Sequence, residues 1–175
     1  MKRTEYTIPV RLDARTFRRF SWFDTLKLRR RWVRPVIFAL ILVAFAVVAL
    51  LTGREQAGLI AAVLLAVGLG LPLAYFGTFL SSVNMQAARH GLDKPRRFYT
   101  VVLNADGVRV TNDQMDEAPV QLPWKEIQAA FRAKGCIYLY VNAARAFLLP
   151  DGQGNAPPEE IWDYILKHMG DRCKS

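Results

Sequence analysis

Histidine and cysteine are almost missing from this chain, which has two of each among 175 residues. Cys136 and Cys173 stand far apart, without the paired spacing of a zinc site or a disulfide framework. Two isolated thiols fit a reducing compartment, with Cys136 read as a small core residue. His90 and His168 have no Cys, Asp or Glu at ligand spacing, so no metal is expected. Arrangements of nucleophile and base are also lacking, since Ser81-Ser82 has no base nearby. Gly152-Gln153-Gly154 lacks the lysine and the strand–helix setting of a phosphate loop. Asp113, Asp116 and Glu117 read as a solvated acidic turn. The expectation is a chain that is not an enzyme and carries no cofactor.

The deepest scarcity is charge in one stretch. Between positions 35 and 82 the only charged residues are Arg54 and Glu55. Residues 35–53 form one uncharged run, and a second is apolar from Leu59 to Leu80. About 20 apolar helical residues cross a bilayer core about 30 Å thick, and each run is that long. The segment Thr52-Gly53-Arg54-Glu55-Gln56 allows only a tight reversal. The prediction is a transmembrane helical hairpin over 35–82, with helices at 35–53 and 58–80.

What charge there is lies unevenly. The first 34 residues hold eleven Lys/Arg against Glu5, Asp13 and Asp24, +8 of a net +9. Lys and Arg flanking a membrane helix stay on the cytoplasmic side, so both termini are expected there and the short turn outside. A cleavable signal peptide is not expected, because the first apolar run starts so late. The basic and aromatic text before the hairpin could suit nucleic acid, but its place against a spanning helix favours a juxtamembrane anchor and no nucleic acid. Arg29, Arg30, Arg31 and Arg34 before the hairpin, with Lys94, Arg96 and Arg97 after it, form the candidate docking set for anionic lipid headgroups.

In the second helix Gly58, Ala62, Ala66, Gly70 and Ala74 recur at spacing four. Small residues let helices approach closely in lipid. This stripe is read as the seat of the first helix, with contact to a second chain as the alternative. Pro72 predicts a kink. Neither apolar run contains an ionisable residue, which argues against a transporter.

The flanks read as soluble structure. Residues 5–12 alternate as a strand with Tyr6, Ile8, Val10 and Leu12 on one face, and Pro9 assigns it to an edge or a bulge. Asp13 can cap a helix carrying Phe17 and Phe20 among Arg15, Arg18 and Arg19. Strands follow at 98–103 and 107–111, joined by the Asp106-Gly107 hairpin turn, then at 120–124, 137–141 and, as the last strand, 146–149, with 126–132 ambiguous. Pro157-Pro158-Glu159-Glu160 opens a final helix with the stripe Ile161, Trp162, Ile165, Leu166 and Met169, and Lys167 and His168 before Gly170 close it.

This layout, with Leu122-Pro123-Trp124-Lys125-Glu126-Ile127 followed by Ala146-Phe147-Leu148-Leu149-Pro150, resembles the YcxB-like family of small bacterial membrane proteins over residues 30–170. The resemblance implies a C-terminal domain like a pleckstrin-homology (PH) barrel and location in the bacterial inner membrane, with no established activity. Trp124 itself reads as core packing. The expected fold class is membrane α + β: the hairpin plus a small antiparallel, β-barrel-like (PH-like) cytoplasmic domain capped by a C-terminal helix. The expected segments are 1–34, 35–82, 83–97 and 98–175. The strand at 5–12 either stays with the first segment or completes the C-terminal sheet, making the hairpin an insertion. The expected role is a membrane-anchored binding or scaffold module docking a protein partner or anionic lipid. The alternative is a subunit of a larger membrane assembly, with a membrane-protein partner or further copies of itself.

Overall fold

A computed structural model describes residues 5–30, 32–53, 55–113 and 118–174. The chain divides into two compact units, one combining Met1–Thr16 with Leu92–Ser175 and the other Phe17–Gly91.

In the first unit, β1 (Tyr6–Leu12) buries Tyr6, Ile8, Val10 and Leu12, as the alternation predicts. It pairs antiparallel with β2 (Arg96–Asn104), which pairs with β3 (Gly107–Asn112), which pairs with β4 (Val120–Pro123). The register lines up Tyr6, Leu103, Val108 and Leu122 as one buried row across all four strands. Each such side chain, fully withdrawn from water, contributes about 1.5–3 kcal/mol. β1 therefore completes the sheet that follows the hairpin, and residues 1–34 are not a segment apart. Where the chain leaves this unit and returns to it, the Ala14 N–H donates to the Leu92 carbonyl at 3.0 Å. The hairpin is an insertion.

A second sheet has the order β7-β6-β5-β8, from β5 (Ala129–Ala133), β6 (Cys136–Tyr140), β7 (Ala146–Pro150) and β8 (Cys173–Lys174). The ambiguous residues 126–132 resolve into the end of a 3-10 turn, Trp124–Glu126, and β5. β8 follows the final helix and pairs parallel with β5, so Ala146–Pro150 is not the last strand.

The two sheets do not close into a barrel, which corrects the barrel-like expectation. The edge of β1 shows why. Its outward Thr7 N–H donates to Asn155 Oδ1 at 3.0 Å and its Arg11 N–H to Gln153 Oε1 at 2.7 Å. Gln153 Nε2 and the Asn155 N–H return bonds to the carbonyls of Arg11 and Thr7. Pro9, between them, has no N–H to offer. The loop that superficially suggests phosphate binding thus covers this edge, and a closing strand finds no free donors there. Tyr99 of β2 forms a hydrogen-bonded bridge between the sheets. Its hydroxyl donates to the Leu148 carbonyl (3.2 Å) and accepts from the Leu148 N–H (2.9 Å) on the edge of β7. Burial pushes the Tyr99 phenol well above its usual range.

The last helix, α4 (Pro158–Met169), has proline and two acids in its first turn and Lys167 and His168 in its last. Ile161, Ile165 and Met169 face the core, while Leu166 of the predicted stripe is 44% exposed.

Asp13 opens α1 (Ala14–Trp22) by accepting the Thr16 N–H at 2.7 Å. Partial burial works against its carboxylate, yet the hydrogen bonds from Thr16 hold its pKa below the usual value. A π-helical turn, Phe23–Leu28, leads to α2 (Val33–Leu51) and α3 (Ala57–Arg89). With 19 and 33 residues these helices are about 28 and 50 Å long. α3 continues through Pro72 and runs well past the end of its apolar stretch, stopping before Gly91 at φ 63°.

Candidate membrane-surface site and helix seam

α2 and α3 are both long and apolar enough to cross a bilayer, with mean hydropathy of 2.7 and 2.3 in their best windows. Only 11% of each window is buried, unlike the core helices of a soluble protein. The seam between them consists of Ala39 and Ala46 on α2 and Ala57, Ala61 and Gly68 on α3. A Cβ at Gly68 would meet Leu42 Cβ at 3.2 Å and the Ala39 carbonyl at 3.4 Å. This is the close approach that small residues permit.

The predicted seat is a different stripe. Gly58, Ala62, Ala66, Gly70 and Ala74 are all exposed, and open space surrounds Gly58 and Gly70. Geometry explains the correction. At 3.6 residues per turn, each step of four advances about 40° around the helix, so five such residues spiral away from any straight partner. Ala57, Ala61 and Gly68 average nearer 3.7 and stay on the seam.

The candidate docking residues fall in both units. Arg29 is paired with Asp24 at 2.9 Å. Arg30, at φ 47°, and Arg34, in the first turn of α2, are exposed. Arg31 lies outside the described residues. Lys94 and Arg96 are exposed, whereas Arg97 binds Asp113 and the Thr100 hydroxyl, each at 2.8 Å. Asp113 is thereby engaged, while Asp116 and Glu117 of the predicted acidic turn lie outside the described residues. Arg30, Arg34, Lys94 and Arg96 remain as cations facing solvent. Two further ones, Arg18 and Arg19, stand exposed on α1. Their signal in sequence was the spacing of four and three residues to Trp22, on one helical face.

The stretch Leu122-Pro123-Trp124-Lys125-Glu126-Ile127 is a structural corner. Trp124 is 7% exposed, its indole N–H donates to the Asn104 carbonyl at 2.9 Å, and its ring stacks on His168 at 4.9 Å. Leu122 and Ile127 are buried, Pro123 is half-buried, and Lys125 and Glu126 face solvent. Arg172 Nη1 donates to the carbonyls of Trp124 and Ile127, fixing the turn from the far end of the chain. Arg132 is held by both oxygens of Asp151, at 2.6 and 3.1 Å, so its charge is already matched. An open depression of about 440 Å³ beside the β2–β3 turn is lined by Asn104, Asp106, Arg109, Pro119 and Gln121. Among the described residues no three His, Cys, Asp or Glu side chains gather as a metal would require.

These features define a mixed α + β chain: two apolar helices inserted into a two-sheet domain, with cations near both ends of the insertion. No family model, curated protein or solved structure matches it.

Proposed function

We propose that this chain is a membrane-anchored binding module. In this reading α2 and α3 cross the inner membrane of a bacterium as a hairpin, both termini stay in the cytoplasm, and the β domain is held at that face. There it docks a protein partner or anionic lipid, without enzymatic activity and without nucleic acid. The observation that carries the reading is the apolar exterior of the hairpin. Leu40, Phe45, Leu51 and Leu73 are 63%, 60%, 81% and 73% exposed, and an apolar surface of this kind supports burial in lipid. Two packed sheets with a C-terminal helix are also what a PH-like domain of the YcxB-like kind would offer. Alkaline carbonate extraction tests the anchoring: the full chain is expected in the membrane pellet, and its release would overturn the proposal. Charge reversal at Arg30, Arg34, Lys94 and Arg96 tests the docking. Recruitment of partner or anionic lipid should fall, and unchanged recruitment would remove these residues from the role.

A second reading, a subunit of a larger secretion, transport or toxin–immunity assembly, is favoured by one observation. The small-residue stripe from Gly58 to Ala74 is left uncovered by α2. Leucine at Ala66 and Gly70 should then abolish co-purification of a membrane partner or a second copy while the β domain stays folded. Undiminished co-purification would refute this reading.

A further inference from the structure

The helix α1 carries no acidic residue and has two unlike faces. Phe17 and Phe20 are half-buried, whereas Arg18, Arg19 and Trp22 are exposed together. Trp22 lies four residues after Arg18 and three after Arg19, so the three residues share one side of the helix. Neither arginine forms an ion pair among the described residues.

The depth of this surface follows from a ring contact. The Trp22 indole packs edge-on against Phe79 of α3, with centroids 5.5 Å apart and planes at 88°, while 37% of Trp22 stays exposed. Phe79 is one position before Leu80, where the apolar run of α3 ends and Ser81-Ser82 begins. If α3 spans the bilayer, Trp22 sits at the boundary between hydrocarbon and headgroups, where tryptophan concentrates. Arg18 and Arg19 then lie at the level of the lipid phosphates. A guanidinium fork matches a phosphate geometrically as well as in charge.

We infer that Arg18, Arg19 and Trp22 form a docking site for an anionic phospholipid headgroup of the adjoining leaflet, the indole wedged among acyl chains and the two arginines on the phosphodiester. The site is separate from the cations that flank the hairpin directly. It rests on the membrane-spanning reading, from which its depth is taken.

The test is native mass spectrometry of the full chain in mild detergent, titrated with phosphatidylglycerol and, separately, with phosphatidylcholine. The parent chain should prefer phosphatidylglycerol. The pair Arg18→Gln/Arg19→Gln should weaken that lipid about 25-fold, roughly fivefold per cation, and leave phosphatidylcholine unchanged. Arg18→Lys/Arg19→Lys, which keeps the charge, should retain most of the preference and shows that the chain still folds. Arg109→Gln/Lys134→Gln, altered on the β domain, should behave as the parent. Equal phosphatidylglycerol affinity in the glutamine pair, or an equal loss in the β-domain pair, would overturn the inference. Carbonate extraction of the same membranes separates the two readings. A released parent chain overturns both, whereas a pelleted chain with unchanged lipid preference in the glutamine pair overturns only this one.

Discussion

Replacing Tyr99 by Phe deletes one oxygen and leaves every apolar contact of the ring in place. That oxygen serves both backbone groups of Leu148, 49 residues away, on the outer edge of β7. Phenylalanine would leave a buried N–H and a buried carbonyl without partners, each at about 1–3 kcal/mol. The edge-on contact between rings 99 and 147, at 5.7 Å, survives the change and limits the loss. A net cost of about 2–4 kcal/mol is expected, or about 10–20 °C in the melting temperature of a unit this size. With Cys173 replaced by Ser, Cys136 supplies the assay. Burial pushes its thiol up to about 12, so it stays inert in the folded chain and reacts with a thiol dye once the β domain opens. Hydrogen exchange over residues 146–150 should accelerate in parallel. If the dye-detected melt moved by less than about 3 °C, roughly 0.5 kcal/mol, and that exchange were unchanged, the Tyr99 bridge would not help hold the sheets together.

Three further outcomes follow from single positions. Gly107, at φ 153°, has no room for a side chain, since a Cβ there would overlap the Leu122 carbonyl oxygen; Gly107→Ala should cost about 3 kcal/mol or more in the same melt, whereas Gly152→Ala, in open space at φ 74°, should cost about 1 kcal/mol. In the hairpin, Gly68→Leu should lower resistance to unfolding in an SDS titration by about 1–3 kcal/mol, while Gly70→Leu should leave the single chain unaffected. The Tyr6 hydroxyl bonds Glu160 at 2.7 Å, which together with burial raises its pKa to about 12 from 10. Because the folded value is the higher one, the stabilisation is complete below pH 10 and disappears as pH rises through about 12, and Tyr6→Phe should flatten that alkaline slope in pH-dependent melts.

Much of the fold was legible because short-range chemistry decided it. The alternation of Tyr6, Ile8, Val10 and Leu12 named the buried face of β1, and Pro9 named it an edge. Asp106-Gly107 marked the hairpin turn, and the charges at either end of α4 marked its limits. What was not legible depended on distant partners. β8 is two residues whose pairing with Ala130 exists only once α4 has folded back. The number of strands would allow a closed barrel, but Gln153 and Asn155 cover the β1 edge through bonds spanning more than 140 residues. On α3 the stripe from Gly58 to Ala74 and the one that packs on α2 are both made of small residues, and only the helical pitch separates them. At the candidate site the sequence showed an abundance of cations. It did not show that Asp24 and Asp113 occupy two of them, or that Trp22 reaches Phe79.

The central claim is a hairpin that crosses a membrane and returns to the domain it left. It is tested most directly by the accessibility of single cysteines, placed at Glu5, at Glu55 and at the native Cys173, to an impermeant maleimide. The experiment uses intact and inverted membrane vesicles. The account predicts that positions 5 and 173 are labelled from the same side and position 55 from the other. Labelling of all three from one side would contradict it.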